Sequence, residues 1–565
     1  MLSIRKIGVF SRTYRHLARY RQILTVLFKY GFGDLLEMLK IDQYIEVGLQ
    51  MISKKRAERA EKLTRPQRLR MAFEELGPTY IKLGQILSTR PDLIPVEFID
   101  ELSKLQDKVP PFPFSDVRTV VESEFGLPPE ELFESLDETP LASASIGQVH
   151  RAVLKDGENV AVKFQRPGIR RIIEVDLEIM LHLATLAERH IEELSFHRPV
   201  KIVREFARTL EKEIDYKIEA TNMERAARQF LDTSYVYIPK VYRDTTTSRI
   251  LTTEFIEGIK ISEIDKLEAA GLDRKLITTR GAELVLSQVF DHGFFHADPH
   301  PGNIFVLSNN VICLLDFGMA GVVDRQTRED FVDLIDSVVH QNEGRAAQAL
   351  LKLTYWQEQP ELRTFEREMA DFMGRHLYKP LKDIEFAKLL RDLLELATNF
   401  RLQIPPDIFL MMKAISTLES VGRILDPDFD MIANAAPFVQ RVKLDRFRPQ
   451  RIAGDVIDLA SKLLQFLQQF PKDLLDLADL IRRQKIRLQL EHRGLETMLA
   501  THDQISNRLA FSIIIAALII GSALIVISEI PPLIFGISLI GIILFSAAAI
   551  MGIWLLVAIL RKGRL

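Results

Sequence analysis

The stretch FFHADPHPGNIFV, residues 294–306, concentrates side chains that can bind a metal or move a proton. His296, Asp298 and His300 occupy alternate positions, and Asn303 follows three residues later. Two chemistries fit. The histidines and the aspartate could ligate a transition metal. Alternatively, the carboxylate could activate a nucleophile while the asparagine amide holds Mg²⁺.

The spacing between Asp298 and Asn303 favours the second chemistry. In a kinase catalytic loop, an aspartate precedes a magnesium-binding asparagine by five positions. The apolar runs IFVL and VICLLD flank the turn SNN and predict a hairpin that leads back to Asn303. Asp316 then opens DFG, the kinase magnesium triplet. We expect Asn303 and Asp316 to hold Mg²⁺, Asp298 to be the catalytic residue, and the histidines to be structural.

A strand with a lysine supplies a further match. In NVAVKFQ the alternation places Lys163 on the face opposite Val160 and Val162. Val-Ala-Val-Lys matches the kinase strand whose lysine pairs with nucleotide phosphates and with a helix glutamate. The acids of one downstream segment are candidates for that glutamate, and the sequence leaves the choice open among Glu213, Asp215 and Glu219.

The loop before this strand differs from that of a protein kinase. Alanine and serine stand where glycines are expected, and alanine has less backbone freedom than glycine. This loop should therefore hold a nucleotide differently. The expected nucleotide-binding residues around Lys163 are Ala142, Ser143, Ala144, Ser145, Ile146, Gly147 and Val149, with Glu254 from the linking segment TEFIEG. The chain has no Walker A pattern, so P-loop chemistry is not supported.

The elements that must position these residues follow a recognisable order. GQVHRAVL and NVAVKFQ form a predicted hairpin around KDGEN, and a β-rich region gives way to amphipathic helices. We expect an α+β, protein kinase-like, two-lobed fold. Its predicted parts are a basic helical lead-in (1–65), an N-terminal extension (66–135), an N-lobe (136–258), a helical C-lobe (259–440), a helical linker (441–507) and a transmembrane hairpin (508–565).

The transmembrane prediction rests on two uncharged runs. Residues 509–528 and 531–560 are each long enough to cross a bilayer, and EIPP separates them as a tight turn. Arg508 and Arg561 flank the pair, whereas the turn carries no lysine or arginine. The positive-inside rule therefore places the large domain in the cytoplasm. The alternative is a pair of buried core helices.

The remaining bulk properties limit the partners. Seven Lys/Arg and no acids lie before residue 34, interleaved with apolar residues. They predict either a helix on an anionic membrane or a helix packed on the next domain; a transit peptide is a third reading, and no secretory signal pattern is present. The net charge of −3 gives no attraction to nucleic acid. The single cysteine, Cys313, excludes internal disulfides and thiolate-rich zinc sites.

The motifs KLGQ, ASAS, VAVK, EID, HADPHPGN and DFG together resemble the UbiB family of atypical kinases, over roughly residues 70–330. The apolar C-terminus resembles that of its bacterial members. The resemblance implies a kinase-like fold whose K-x-G-Q helix covers the place where a protein substrate would bind. Lys82 and Gln85 of that helix would then meet the E-x-D acids, Glu213 and Asp215.

The resemblance also implies a function. It points to ATP (or ADP) and Mg²⁺ as cofactors and to ATPase activity in ubiquinone biosynthesis at the bacterial inner membrane. Implied partners are isoprenoid quinone precursors or lipid membrane, other ubiquinone-biosynthesis enzymes, and a second copy in a homodimer. The alternatives are a kinase for a small-molecule or lipid substrate, and a nucleotide-binding scaffold. A hydroxylase role lacks support because the chain has no dinucleotide fingerprint.

Overall fold

The computed structural model describes most of the chain. The described residues are 14–39, 63–88, 90, 93–105, 110–191, 199–356, 359–376, 386–449, short stretches between 451 and 471, 495–528, 531–534 and 537–561. They fall into two compact units, residues 1–454 and residues 455–565. The first residues of the basic lead-in and residues 472–494 of the predicted linker lie outside the described residues.

Short helices form the N-terminal part of the first unit. They are α1 (Tyr14–Lys29), α2 (Gly33–Met38), α3 (Arg65–Leu76), α4 (Pro78–Leu87) and α5 (Val96–Leu102). The predicted break at Gly77-Pro78 is confirmed, because Gly77 has a φ of 94° and the following proline starts a new helix.

Helix α1 packs on the rest of the unit. Ile23, Leu24 and Val26 on its apolar face are buried. Arg19 donates to the carboxylate of Asp176 at 2.7 and 2.9 Å. The described part of the basic lead-in therefore agrees with the hypothesis that a helix packs on the next domain.

The N-lobe is built on a five-stranded antiparallel sheet. Helices α6 (Phe114–Phe125) and α7 (Pro129–Leu132) lead into it. Its strands run in the order β1-β3-β4-β6, with β2 paired to β3. Their bounds are Phe133–Leu136 (β1), Ala142–Ser143 (β2), Gly147–Leu154 (β3), Asn159–Gln165 (β4) and Ile250–Glu254 (β6). Burial alternates along β4 as predicted, with Val160 and Val162 inside and Lys163 on the other face.

Three helices follow β4 and cover this lobe: α8 (Ile169–His190), α9 (Pro199–Glu213) and α10 (Tyr216–Gln229). The chain breaks between α9 and α10. Asp215 caps α10, and its carboxylate accepts the Lys217 N–H at 3.1 Å. Glu213 is the last residue of α9 and Asp215 is the N-cap of α10, so the two acids belong to different helical segments.

The C-lobe combines small sheets with many helices. The strands β5 (Val236–Tyr237), β7 (Ile259–Lys260), β9 (Ile304–Leu307) and β10 (Val311–Leu314) form one sheet in the order β5-β10-β9-β7, and β8 (Phe294–His296) pairs with β11 (Ala320–Val322). The helices are α11 (Ile264–Ala269), α12 (Arg274–Leu286), a π-helical turn (Ser287–His292), α13 (Arg325–Val339), α14 (Glu343–Leu353), α15 (Leu362–His376), α16 (Phe386–Asn399), α17 (Pro406–Leu425) and α18 (Met431–Asp445).

The second unit contains the apolar helices α19 (Leu495–Ile527) and α20 (Leu539–Arg561), which pack on each other. Within the described residues, length and composition qualify one segment, Arg508–Ile527, as a membrane span; Leu539–Ile553 is a shorter apolar segment. The predicted second span is thus not confirmed. The connection between α19 and α20 is longer than the predicted tight turn. The short strands β12 (Leu533–Ile534) and β13 (Ile537–Ser538) pair with each other before α20 begins. Pro531 and Pro532 precede them and have no N–H to donate to a helix.

Candidate active site

Lys163 projects from β4 toward helix α10. Its Nζ donates to both carboxylate oxygens of Glu219, at 3.0 Å to Oε1 and 2.9 Å to Oε2. Glu219 stands in the first turn of α10 and is buried. Of the three acids that the sequence left open, the structure therefore selects Glu219 as the partner of Lys163.

Lys163 also faces Asp316, whose Oδ2 lies 3.8 Å from Nζ. Burial alone would lower the pKa of Lys163, but Asp316 and Glu219 outweigh burial and raise it. The Lys163 ammonium lowers the pKa of Asp316 to about 2. Burial raises the pKa of Glu219 to about 7, against the pull of Lys163. Of the two acids that share the lysine, Asp316 holds its negative charge more firmly.

His296 supports the catalytic loop from inside the protein. Its buried ring accepts the Asp298 N–H at Nδ1 (3.1 Å), so Nε2 carries the proton and donates to the Leu315 carbonyl at 3.0 Å. Burial lowers the pKa of His296, in agreement with a neutral ring. Both nitrogens are engaged, which leaves none for a metal. The described residues hold no group of three His, Cys, Asp or Glu with metal-site geometry.

Asn303 and Asp316 lie at the same end of the β9–β10 hairpin. The two strands pair antiparallel over their full lengths, and the Leu315 N–H donates to the Asn303 carbonyl at 2.9 Å. The predicted hairpin is confirmed. Asp316 adopts a left-handed φ of 54°, and its Oδ1 accepts the Gly318 N–H at 3.1 Å. An ionised carboxylate beside an amide oxygen is a ligand pair suited to Mg²⁺ bridged to phosphates.

The middle residue of the DFG triplet anchors this arrangement. Phe317 is fully buried, and its ring centroid lies 4.9 Å from that of His296. Asn222 of α10 donates to the Phe317 carbonyl at 3.1 Å. Helix α10 therefore positions both Glu219 and the residue that follows Asp316.

The loop before β3 packs tightly against the strands and helix that flank Lys163. Ala142 and Ser143 pair with β3, and the Ala144 N–H donates to the Gly147 carbonyl at 2.7 Å. A Cβ at Gly147 would lie 2.5 Å from the Phe164 carbonyl oxygen and would also meet the Tyr216 hydroxyl. This close approach explains why a glycine occupies this position in the alanine- and serine-rich loop.

Buried hydroxyl groups in and below this loop have unused hydrogen-bonding capacity. Those of Ser143, Ser145 and Tyr216 are buried without a hydrogen-bond partner in the part of the chain that the structure describes. The ring of Tyr216 lies under Lys163, 5.1 Å from Nζ. Buried polar atoms are normally paired. Unpartnered hydroxyls of this kind are potential donors to an anionic ligand such as a nucleotide phosphate.

The N-terminal extension reaches the same site. Lys82 of α4 is buried and forms an ion pair with Glu213 at 2.6 Å. Its charge also lowers the pKa of Asp316, after the larger effect of Lys163. Gln85 donates to the Leu105 carbonyl at 3.3 Å. The expected meeting of the two motifs thus occurs between Lys82 and Glu213, whereas Asp215 serves as a helix cap.

The other expected nucleotide-binding residues flank the lysine. Val149 on β3 lies opposite Lys163 in the sheet register, and Ile146 of the loop is buried. The carboxylate of Glu254 accepts the Tyr237 hydroxyl at 2.6 Å and the Lys240 N–H at 3.3 Å. The side chain of Glu254 thus braces the end of β6, and its contact with a nucleotide stays a prediction.

The sequence interpretation missed three contributors. They are Tyr216, Asn222 and Lys413, and Lys413 contacts Asp298 directly. Tyr216 follows the E-x-D motif, so its position was a usable signal. Asn222 and Lys413 belong to amphipathic helices far along the chain from their partners, and local spacing carries no signal for either. The site brings together a lysine, two possible magnesium ligands and a carboxylate, which are the types of group that phosphoryl transfer requires.

Comparison with known proteins finds three family models that match the chain. Residues 104–350 match the ABC1 atypical kinase-like domain, residues 369–430 match the UbiB helical domain, and residues 493–561 match the ABC1/UbiB kinase-like C-terminal domain. The first match includes the whole N-lobe and the strands of the C-lobe. The expected α+β, kinase-like fold is therefore confirmed, whereas the expected two-helix transmembrane hairpin is not; the helical domain at residues 369–430 is an addition that the prediction from sequence did not separate from the C-lobe.

Individual relatives resemble the chain over most of its length. "Uncharacterized protein in hydrogenase 1 5'region" of Clostridium pasteurianum is 32% identical over 550 residues, covering 97% of this chain and 99% of that protein. "Probable protein kinase UbiB" of Marinobacter nauticus is 36% identical over 415 residues, covering 73% and 75%. "Protein ACTIVITY OF BC1 COMPLEX KINASE 7, chloroplastic" of Arabidopsis thaliana is 39% identical over 390 residues, covering 69% and 56%. The chain belongs to the ABC1/UbiB family of atypical kinase-like proteins.

Proposed function

We propose that this protein binds Mg-ATP and acts as an atypical kinase or ATPase in ubiquinone biosynthesis. The observation that carries the proposal is the ion-pair chain Glu219–Lys163–Asp316, with its distances of 2.9 and 3.8 Å. It joins a helix, a strand and the DFG triplet in the arrangement that phosphoryl transfer requires.

Each site residue has a role in this proposal. Lys163 holds the α- and β-phosphates, and the hydroxyls of Ser143 and Ser145 donate to the nucleotide from the loop. Asn303 and Asp316 hold Mg²⁺, which neutralises phosphate charge. Asp298 orients the nucleophile, water or a substrate hydroxyl, and accepts its proton.

The extension favours hydrolysis or a small acceptor over a protein substrate. The Lys82–Glu213 ion pair places part of α4 beside the end of the site that carries Asp316. Gly84 lets α4 pack closely on the rest of the extension, because a Cβ there would meet Leu105 and Phe73. A helix in that position occupies space that a bound polypeptide would need.

The proposed setting is the bacterial inner membrane, with the kinase-like domain in the cytoplasm. The segment Arg508–Ile527 supports it by length and composition, and the relatives include probable UbiB protein kinases. We propose that α20 forms a second span and that ATP hydrolysis drives transfer of lipophilic quinone precursors from the bilayer to other biosynthetic enzymes. A homodimer is compatible with this arrangement.

Radiolabelled ATP tests the reaction. The full-length protein in lipid nanodiscs should release phosphate from γ-labelled ATP only with Mg²⁺, and Lys163→Met and Asp316→Asn should each reduce turnover at least tenfold. Lys266→Met is the matched control, because Lys266 forms an exposed ion pair with Glu263 and has no part in the proposed site. Label recovered in a lipid or small molecule would establish the kinase alternative. Full activity of Asp316→Asn would refute the site assignment.

Quinone profiling tests the biological role. A deletion strain should accumulate an early precursor and regain ubiquinone when the wild-type gene is supplied. Asp298→Asn should fail to restore it. Full restoration by Asp298→Asn would show that the protein acts as a nucleotide-binding scaffold.

A further inference from the structure

Lys413 contacts the expected catalytic residue from a distant part of the chain. Its Nζ lies 2.9 Å from Asp298 Oδ1, across 115 residues of sequence. Both side chains are one-third exposed, so the pair borders the open site. Within the described residues, this is the one ion pair that Asp298 forms.

The helix that carries Lys413 is firmly placed. Helix α17 begins with Pro406 at its first turn and packs on α12 and β11. Met411, Met412 and Ala414, on either side of Lys413, are buried in the C-lobe core. Side-chain packing therefore fixes the path of the helix backbone, and Lys413 is presented toward the catalytic loop.

This helix lies outside the kinase-like match. Lys413 falls in residues 369–430, which match the UbiB helical domain, whereas Asp298 falls in residues 104–350. The helical domain thus supplies a charged group to the catalytic loop of the kinase-like domain.

The contact leaves one carboxylate oxygen available. The Asp298 N–H donates to His296, and its carbonyl accepts the His300 N–H at 2.8 Å and the Asn303 amide at 3.5 Å. Oδ1 accepts from Lys413. Oδ2 has no hydrogen-bond partner among the residues that the structure describes. The backbone and one oxygen are held, and the other oxygen is free to meet a nucleophile.

We propose that Lys413 is a positioning residue for phosphoryl transfer, and this inference rests on the proposed function. Lys413 holds Oδ1 and turns Oδ2 toward the attacking water or hydroxyl. The nucleophile's oxygen bonds to the γ-phosphorus as the bond to the β–γ bridging oxygen breaks, and that electron pair leaves with ADP. Oδ2 takes the nucleophile's proton and passes it to the transferred phosphoryl group, which is free phosphate after attack by water and a phosphate ester after attack by a hydroxyl, while Lys413 keeps its charge throughout.

The kinetics of Lys413→Met test this role in the full-length protein. We expect kcat for ATP hydrolysis to fall about 10- to 100-fold while KM for Mg-ATP changes less than about threefold, because the lost interaction serves the transition state. Lys413→Arg should recover part of kcat, since it restores a cation. Lys266→Met should match wild type. An unchanged kcat would overturn the proposal, and so would a raised kcat, which would mean that Lys413 blocks Asp298.

A double-mutant cycle separates positioning from general destabilisation. If Lys413 acts through Asp298, adding Lys413→Met to Asp298→Asn should cost less than about twofold beyond Asp298→Asn alone. Fully additive losses would overturn the proposal. The affinity for nucleotide and the melting temperature of Lys413→Arg should stay near those of wild type, because arginine keeps the positive charge. Absence of ATP turnover in wild type would refute both the proposed function and this inference. If wild type is active and Lys413→Met leaves kcat unchanged, this inference alone is refuted.

Discussion

At the scale of single residues, Glu219 and Asp316 compete for one ammonium. Glu219 is the more buried acid, and it gains two hydrogen bonds from Lys163 but loses its hydration. Asp316 lies nearer to solvent and gains the same positive charge at lower cost. The unequal balance keeps Asp316 ionised, as a magnesium ligand in the proposed function must be, and leaves Glu219 close to its titration point.

This balance predicts a pH dependence of stability. The pKa of Glu219 is about 7 in the folded protein against 4.5 as its ordinary value, so the native state binds more protons between these pH values. Stability from this group therefore falls as pH rises from 4.5 to 7. Calorimetry in detergent at pH 5, 6 and 7 would give the melting temperatures of wild type and Glu219→Gln. The value for wild type minus that for the variant should decrease as pH rises. A difference that rises with pH would contradict the raised pKa.

At the scale of elements, the loop before β3 and the helix α10 depend on each other. Gly147 lets the loop descend onto the Phe164 carbonyl and the Tyr216 hydroxyl. Tyr216 in turn lies under Lys163, and burial raises the pKa of its phenol, so the hydroxyl stays protonated as a donor. The loop, the strand and the helix therefore form one support for the lysine.

Replacement of Gly147 by alanine should disturb this support. Its Cβ would lie 2.5 Å from a backbone oxygen of β4, which cannot move without shifting the strand that carries Lys163. We expect a loss of about 1–3 kcal/mol in stability and weaker binding of a fluorescent ATP analogue. Gly374→Ala is the control, because a Cβ there meets nothing within 4 Å and alanine favours a helix. Equal behaviour of the two variants would contradict the tight contact.

At the scale of the whole molecule, α1 ties the N-terminus to the kinase-like region. The Asp176 side chain is fully buried, and Arg19 neutralises it while also donating to the Leu76 carbonyl at 2.7 Å. Ion pairs of this kind matter mainly because removal of one partner leaves a buried charge. The basic lead-in therefore stabilises the fold, whatever its first residues contact.

Arg19→Met tests this connection. The variant leaves the Asp176 carboxylate without its partner, and we expect a loss of about 3–5 kcal/mol in unfolding free energy by urea titration. Lys29→Met is the control from the same helix, since the Lys29–Glu75 pair is partly exposed and should contribute at most about 1 kcal/mol. A small effect of Arg19→Met, equal to that of the control, would show that α1 is dispensable for stability.

Membrane attachment is a further prediction at this scale. The full-length protein should sediment with membranes and resist carbonate extraction. Ile519→Arg places a charge within the apolar segment Arg508–Ile527, at a cost of about 2.5–3.5 kcal/mol near a bilayer centre. It should shift protein to the extractable fraction, whereas Leu231→Arg on the surface of the first unit should not. Equal extraction of both variants would contradict a spanning α19.

Much of the fold and of the site could be predicted from the local spacing of residues in the sequence. The five-residue interval from Asp298 to Asn303, the hairpin leading to Asp316 and the alternation around Lys163 are short-range features, which backbone geometry translates directly into placement. The kinase-like class followed from their order. The start of the second apolar helix was less predictable, because an uncharged run does not reveal where a proline pair delays the start of a helix.

Only tertiary structure could decide which groups meet across long stretches of chain. The sequence offered three acids as partners of Lys163. In the structure the helix breaks before α10, Asp215 caps α10 and Glu213 pairs with Lys82, so Glu219 is the acid that pairs with Lys163. Lys413 reached Asp298 solely through packing of α17 in the C-lobe core. Sequence patterns encode periodicity and turns within tens of residues, whereas ion pairs of this kind depend on how separate elements pack. That packing is a collective result of the whole hydrophobic core.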